Sequence, residues 1–290
     1  MHGPKADAVI VCHGASAVLE RAVDALLADP AVDRVILVDN GRTDGQPARV
    51  RQERGDRVIL AGDGANVGFG AGVNAGARSA RAEFLAIVNP DCVVGPGAVG
   101  RLLRTLDADR SASAAGGLLL NEDGSEQEGG RRRVPSLVHA VARRLRLHRA
   151  PLLGARLDFN DASRPLPAGP EAVDALSGAF MVVRRDRFAD VGGFDERFFL
   201  HFEDLDLCVR LRAAGGTLLF DPASSALHRK GESSAAVPLF VAWHKHRSFI
   251  LFRRKHARGI GGWCALPFVA VAAGGSLAAS AIRGILRQDG

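Results

Sequence analysis

Phe84-Leu85-Ala86-Ile87-Val88 is an unbroken apolar run that stops abruptly at Asn89-Pro90-Asp91. A strand with one wet face alternates apolar and polar side chains; a strand without alternation is covered on both faces. Burial on both faces marks the centre of a parallel sheet with helices on either side. Ala8-Val9-Ile10-Val11-Cys12, Arg34-Val35-Ile36-Leu37-Val38 and Val58-Ile59-Leu60 are similar runs. Between the first two lies a helical pattern over 17–28, with Val18, Ala22, Ala25 and Leu26 at helical spacing, Ser16 as its expected N-cap and Pro30 as its stop. A further helix is expected over 73–82. Strands alternating with helices of this length predict an α/β chain with a mixed, mostly parallel sheet flanked by helices.

Residues 121–171 break the rhythm: Gly, Pro, Arg and Asp are frequent, periodicity is weak, and one amphipathic helix is expected over 136–147. Excursions of this length are often functional. Core-like sequence resumes at Val173, with a strand over 177–183, a helix over 203–214 ended by Gly215-Gly216, and a strand over 217–220. The expected organisation is one α/β domain over 1–240 and a C-terminal helical extension over 241–290. Residues 259–282 carry no charge and are long enough to span a bilayer. They are dominated by Ala and Gly, however, and Pro267 interrupts them. Besides a bilayer-spanning helix, two readings stay open. One is an interfacial helix with Trp263, Arg253, Arg254, Lys255, Arg258, Arg283 and Arg287 near lipid headgroups; the other is a helix buried in the protein.

An apolar share of 47% supports a real core, and 24% charged residues exclude wholesale disorder. The net charge of +6 suits a phosphate-rich ligand or an anionic membrane surface. Cys12, Cys92, Cys208 and Cys264 form no CxxC pair, which argues against a disulfide framework or structural zinc and for a reducing cytoplasm. The short polar N-terminus fits no signal peptide.

Several constellations could carry chemistry. Asp91, at the mouth of a buried strand, stands where α/β sheets bind ligands and is a hard oxygen ligand for Mg²⁺ or Mn²⁺. Asp39-Asn40-Gly41 ends the second strand and can accept hydrogen bonds from a ribose or base, although a simple turn has the same composition. Asn66-Val67-Gly68-Phe69-Gly70-Ala71-Gly72-Val73-Asn74 allows close backbone approach and offers a helix N-terminus to an anion. Val73 stands where the dinucleotide fingerprint needs Gly, so a nicotinamide enzyme is disfavoured. Glu203-Asp204-Leu205-Asp206 follows the aromatic run Phe198-Phe199-Leu200-His201-Phe202, an acidic centre against an apolar wall that can raise a carboxylate toward a useful general base. His228 can supply a neutral nitrogen ligand. Arg131-Arg132-Arg133 reads either as a solvated face or as a contact for an acceptor phosphate or a membrane.

Taken in order, these segments resemble the inverting family 2 glycosyltransferases of the GT-A fold, over residues 8–256. The resemblance rests on Asp39-Asn40-Gly41, Asn66-x-Gly68-Phe69-x-x-Gly72-x-Asn74, Asn89-Pro90-Asp91, Ser177-Gly178-Ala179, Gly192-Gly193-Phe194-Asp195-Glu196-x-Phe198-Phe199, Glu203-Asp204-x-Asp206 and His228. Within the family the chain is most similar to rhamnosyltransferases that act on polyprenyl-diphosphate-linked GlcNAc in cell-wall linker synthesis. The resemblance implies a donor site of Asp39, Asn40, Asn66, Gly68, Gly72, Asn74, Asn89 and Asp91. It implies Mg²⁺ or Mn²⁺ held by Asp91 and His228, and catalysis by Asp204 as base with Glu203 in support. Asp206, Phe199 and Arg133 are then expected on the acceptor side. His13-Gly14 and Arg42 depart from the family pattern at the donor-base end, and Asn89 replaces a first aspartate of the metal motif.

The expected partners are an NDP-sugar (dTDP-rhamnose foremost), a lipid-linked or other glycan acceptor and the inner face of the cell membrane, with no nucleic acid. The competing readings are another donor such as a UDP-hexose, a soluble natural-product acceptor, a nucleotidyltransferase and a non-catalytic sugar-nucleotide-binding module.

Overall fold

The computed structural model describes residues 3–134, 164–229 and 238–256. Its main sheet runs β3 (Val58–Ala61), β2 (Val32–Asp39), β1 (Ala6–Cys12), β4 (Phe84–Val88), β10 (Phe180–Arg184), β6 (Ala112–Leu120), β11 (Thr217–His228), β5 (Cys92–Val94), with β8 (Glu171–Ala172) also on β11. The first four of these strands are parallel, as are β6 and β11. β10 is antiparallel to both β4 and β6, and β5 and β8 are antiparallel to β11. β7 (Arg131–Arg132) and β9 (Ala175–Leu176) form a separate two-stranded pair.

The unbroken apolar runs behave as expected. Along β1, Ala8, Ile10 and Cys12 join one core while Val9 and Val11 join another; along β4, Phe84, Ala86 and Val88 divide from Leu85 and Ile87 in the same way. The first core is closed by α1 (Leu19–Ala28) and α4 (Ala98–Ala108), with Val50 of α2 (Gln46–Arg54). The second is closed by α3 (Phe69–Ser79), the short α5 (Arg185–Asp190) and α6 (Glu203–Ala213). Phe252 of α7 (Pro238–His256) is buried in this second core, so the line drawn at 240/241 falls inside a helix packed on the domain. Helix–sheet–helix layering is the stable way to cover a sheet that is apolar on both faces.

Some boundaries moved. Ser16 is not the N-cap of α1; Val18 is, and the Ser16 hydroxyl accepts from Val18 N–H in the turn before it. α3 begins at Phe69, so the glycine-rich loop is itself the first turn of that helix. β11 extends to His228, well beyond the expected end at 220. The expected helix over 136–147 and the uncharged stretch over 259–282 lie outside the described residues. Among the described residues no helix is long and apolar enough to cross a membrane.

Candidate active site

β1, β2 and β4 are parallel and in register, Cys12 beside Asp39 and Ile10 beside Val88, so their C-terminal ends open on one edge of the sheet. The chain turns to β2 on one side of β1 and to β4 on the other. Such a reversal of strand order leaves a crevice where ligands bind.

At this edge Asp39 Oδ1 accepts from Gly41 N–H (3.0 Å) and Thr43 Oγ1 (3.1 Å), while Oδ2 has no hydrogen-bond partner among the described residues. Asn40 is buried and its amide is consumed locally: Oδ1 accepts from Val67 N–H (2.9 Å), and Nδ2 donates to Asn66 Oδ1 (3.3 Å) and Gly68 O (3.5 Å). It pins the glycine loop rather than facing a ligand. Asn66 is exposed, and its Oδ1 caps Gly68 N–H. Gly68 has φ +88°, and a Cβ there would strike the Phe199 carbonyl oxygen. Gly72 serves packing, because a Cβ would lie 2.7 Å from Val11 Cγ1. Asn74 also turns away from the edge: its amide holds Phe194 N–H (2.9 Å), Phe194 O (2.9 Å) and Glu196 Oε1 (3.0 Å). Asn40, Gly72 and Asn74 therefore build the loop that a donor would meet, and they are not placed to touch the donor with their side chains.

Asn89-Pro90-Asp91 turns sharply from β4 into β5, with Cys92 N–H on Asn89 O at 3.1 Å. β5 then pairs antiparallel with the end of β11, which sets His228 across from Cys92. This register puts His228 Nε2 3.2 Å from Asp91 Oδ1. Both residues are buried, and Asp91 Oδ1 accepts no hydrogen bond among the described residues. Asn89 Nδ2 lies 3.3 Å from the same imidazole nitrogen. A buried, unpartnered carboxylate oxygen beside an imidazole nitrogen suits a divalent cation. Among the described residues no third His, Cys, Asp or Glu completes a cage. Two protein ligands with the rest from phosphate and water is the usual arrangement for a hard cation serving a nucleotide.

The acidic centre lies on the other side of Ser177-Gly178-Ala179. Ala179 O accepts from Asn89 N–H (3.0 Å), and Gly178 N–H donates to Asp204 Oδ2 (3.1 Å). Two neighbouring residues of one turn thus tie Asp204 to the Asp91 turn, and both carboxylates belong to the same end of the sheet. Asp204 Oδ2 also receives Arg132 at 2.5 Å, and Oδ1 accepts from Leu205 N–H (2.8 Å). Burial pushes the Asp204 carboxyl up, but Arg132 and the hydrogen bonds from Gly178 and Leu205 outweigh it and hold the group below the ordinary range. Glu203 goes the other way. Burial, reinforced by the charge of Asp204, pushes it to about 8, and its Oε2 has no partner among the described residues.

The helix start is set by strain. His201 (φ +64°) and Phe202 (φ +69°) are both left-handed, an uncommon state for non-glycine residues that recurs at functional sites. Phe202 is held there by Phe249 and Phe252 of α7, with ring centroids at 5.4 and 5.6 Å.

Asp206 does not join this group. It is fully buried and clasped by Arg210 (2.8 Å), Lys255 (2.8 Å) and His256 (2.7 Å), which docks α7 on α6 and corrects its expected place on the acceptor side. Phe199 borders the glycine loop, since its carbonyl accepts from Phe69 N–H (3.1 Å). Its ring packs on Phe240 and His244 of α7. Arg132, the neighbour of the Arg133 expected on the acceptor side, reaches Asp204. Adjacent strand residues face opposite ways, and Arg131 turns inward to Glu126 at 2.8 Å. The sequence reading also missed Gln127, whose Oε1 lies 2.6 Å from His228 Nδ1. A buried Gln leaves no pattern in a glycine-rich stretch.

The chain is 34% identical over 254 residues to an N-acetylglucosaminyl-diphospho-decaprenol L-rhamnosyltransferase of Mycobacterium tuberculosis, covering 80% of this chain and 77% of that protein. It is 25% identical over 257 residues to rhamnosyltransferase WbbL of Escherichia coli, covering 85% and 92%. The fold is shared with the mannosyltransferase PcManGT of Pyrobaculum calidifontis, solved with GDP-Man and Mn²⁺ (TM-score 0.60, 15% identity, 97% of this chain and 76% of that one). It is also shared with GalNAc-T7, solved with UDP, GalNAc and Mn²⁺ (TM-score 0.57, 17% identity, 78% and 44%). The description glycosyl transferase family 2 matches residues 7–164, and with a curated relative above 30% identity over most of its length, the chain belongs to that family of glycosyltransferases.

Proposed function

We propose that this glycosyltransferase moves L-rhamnose, with inversion, from dTDP-rhamnose to a hydroxyl of a polyprenyl-diphosphate-linked GlcNAc. The observation that carries the reading is the unpartnered Asp91 Oδ1 facing His228 Nε2 at 3.2 Å. Asp91 and His228 would hold Mg²⁺ or Mn²⁺. When bound, that cation offsets the charge gathering on the leaving diphosphate. Asp39 Oδ2, without a partner among the described residues, would accept from a ribose or base donor, and the loop pinned by Asn40 would bring backbone close to the nucleotide. Asp204, kept anionic by Arg132, takes the proton of the acceptor hydroxyl as its oxygen bonds to the anomeric carbon. The bond to the nucleoside diphosphate breaks on the opposite face.

The acceptor and membrane readings draw on the relatives and on α7. Leu239, Phe240 and Trp243 are exposed at 48%, 44% and 56%, and Lys245, Arg247 and Arg254 are exposed on the same helix. Apolar side chains with basic neighbours suit an anionic bilayer surface. Phe240 packs on Phe199, so this patch borders the active site on the side expected for a lipid-linked acceptor, at the cytoplasmic face.

The test is a donor panel with and without Mn²⁺, read as thermal shift and as nucleoside diphosphate release. dTDP-rhamnose with metal should stabilise the fold and turn over. Asp204→Asn should keep that shift and lose turnover about 10²–10⁴-fold. Preference for a UDP-hexose would overturn the donor assignment, and pyrophosphate release from an NTP would indicate nucleotidyl transfer instead.

A further inference from the structure

We infer that Gln127 is a positioning residue that fixes the tautomer of His228, and so keeps a lone pair turned toward the cation and the donor diphosphate. The inference rests on the metal reading above and concerns what makes that site usable. Gln127 is buried, with 4% of its surface exposed, and its carboxamide is fully engaged. Nε2 donates to Asn121 Oδ1 (2.9 Å) and to the His228 carbonyl (3.0 Å). Asn121 is oriented in turn by donating from Nδ2 to Ser125 Oγ (3.0 Å) and Glu126 O (3.5 Å). With both N–H groups of Gln127 spent on acceptors, the atom facing His228 Nδ1 at 2.6 Å is its carbonyl oxygen, which can only accept. Nδ1 therefore carries the hydrogen, and Nε2 carries the lone pair.

The consequence reaches the site. Without Gln127 the proton is free to sit on Nε2. Asp91 Oδ1, 3.2 Å away, would then accept it in an ordinary hydrogen bond, and both ligand atoms would satisfy each other. With Gln127 in place, Nε2 and Oδ1 are two acceptors facing across a short gap. Asn89 Nδ2 at 3.3 Å offers the nitrogen only one weak donor. The arrangement is left waiting for a positive charge. Outer partners of metal-bound histidines commonly act in this way, and their loss costs about 10–100-fold in affinity.

The experiment uses the full chain with ¹⁵N-labelled histidine. The metal-free protein is studied by NMR above neutral pH, with His228 assigned through His228→Ala, and Mn²⁺ affinity is measured by EPR in the presence of dTDP. Wild type should show His228 protonated at Nδ1. Gln127→Met, nearly isosteric, should move the proton to Nε2 and weaken Mn²⁺ binding about 10–100-fold. Gln127→Glu, which keeps an acceptor facing Nδ1, should retain the wild-type tautomer. An unchanged tautomer in Gln127→Met overturns the inference, as does a moved tautomer with Mn²⁺ affinity within twofold of wild type. If wild type itself binds no Mn²⁺ with dTDP, the metal reading fails. The tautomer of Gln127→Met then still decides, on its own, whether Gln127 orients His228.

Discussion

Glu203→Gln should leave stability unchanged near pH 4 and raise it progressively at pH 6 and pH 9. Glu203 is buried in an apolar wall and its folded pKa is raised from 4.5 to about 8. Between those values the native state holds a proton that the unfolded chain releases, so stability falls as pH rises through the window. The interval, at about 1.4 kcal/mol per pH unit, sets a ceiling of about 5 kcal/mol at high pH. Asp204 shares the site, and protons lost from such a pair belong partly to both members, so roughly half of that ceiling is expected. Gln has the shape of neutral Glu and cannot ionise. The variant should match wild type near pH 4, exceed it by about 1 kcal/mol at pH 6 and by about 2–3 kcal/mol at pH 9, the last roughly 4–10 °C in Tm. Urea unfolding at these pH values measures this directly. Parallel stability curves for wild type and variant between pH 6 and pH 9 would refute the buried, protonated Glu203.

Arg132→Ala should move the acid limb of kcat to higher pH. Burial is then opposed only by the hydrogen bonds from Gly178 and Leu205, the Asp204 pKa rises, and the anionic base is lost sooner as pH falls; an unmoved limb would show that Arg132 does not set it. The same change leaves a buried charge without its partner and should cost about 3–5 kcal/mol by denaturant unfolding at pH 7. Phe252→Ala removes a fully buried ring beneath Phe202 and should cost about 3–5 kcal/mol, with lost turnover as the left-handed turn before α6 relaxes; a loss under about 1 kcal/mol would show that α7 is not part of the core. Replacing Leu239 and Trp243 with Ser should weaken sedimentation with anionic vesicles at least several-fold while leaving Tm unchanged; unchanged sedimentation would remove α7 from the membrane reading.

Elements that carry their own local signal were legible. β4 was read to the residue and α6 to within one, because an apolar run with a hard stop and an acidic helix start with Gly215-Gly216 behind it depend on few distant contacts. β6 left no such signal. Ala112–Leu120 is built largely of Ala and Gly, poor strand formers, and its shape answers to neighbours far off in sequence. A Cβ at Gly117 would lie 2.7 Å from the Phe180 ring, so the small residue leaves room for a large one on β10. The extension of β11 to His228 was hidden for the same reason, since β5, its partner there, is only Cys92–Val94. In the site, motif order located the edge but not the division of labour. Asn40 and Asn74 look like ligand contacts in sequence because polar residues beside glycine do. Which way an amide points depends on pairings over 26 to 120 positions.

The adjacent carboxylates Glu203 and Asp204 show why this division matters for catalysis. Successive residues on a helix point about 100° apart, so one start can send Glu203 into the wall near Gly70 and Asp204 toward Gly178. The wall keeps the first neutral; Arg132 keeps the second charged. Two anions side by side would raise each other, so the neutral Glu203 is part of what leaves Asp204 ionised. A base must also have room to accept. Oδ2 of Asp204 is spent on Arg132 and Gly178, whereas among the described residues Oδ1 accepts only from Leu205 N–H. A carboxylate oxygen takes two hydrogen bonds, so Oδ1 keeps one lone pair, and that lone pair is where an acceptor hydroxyl would deliver its proton.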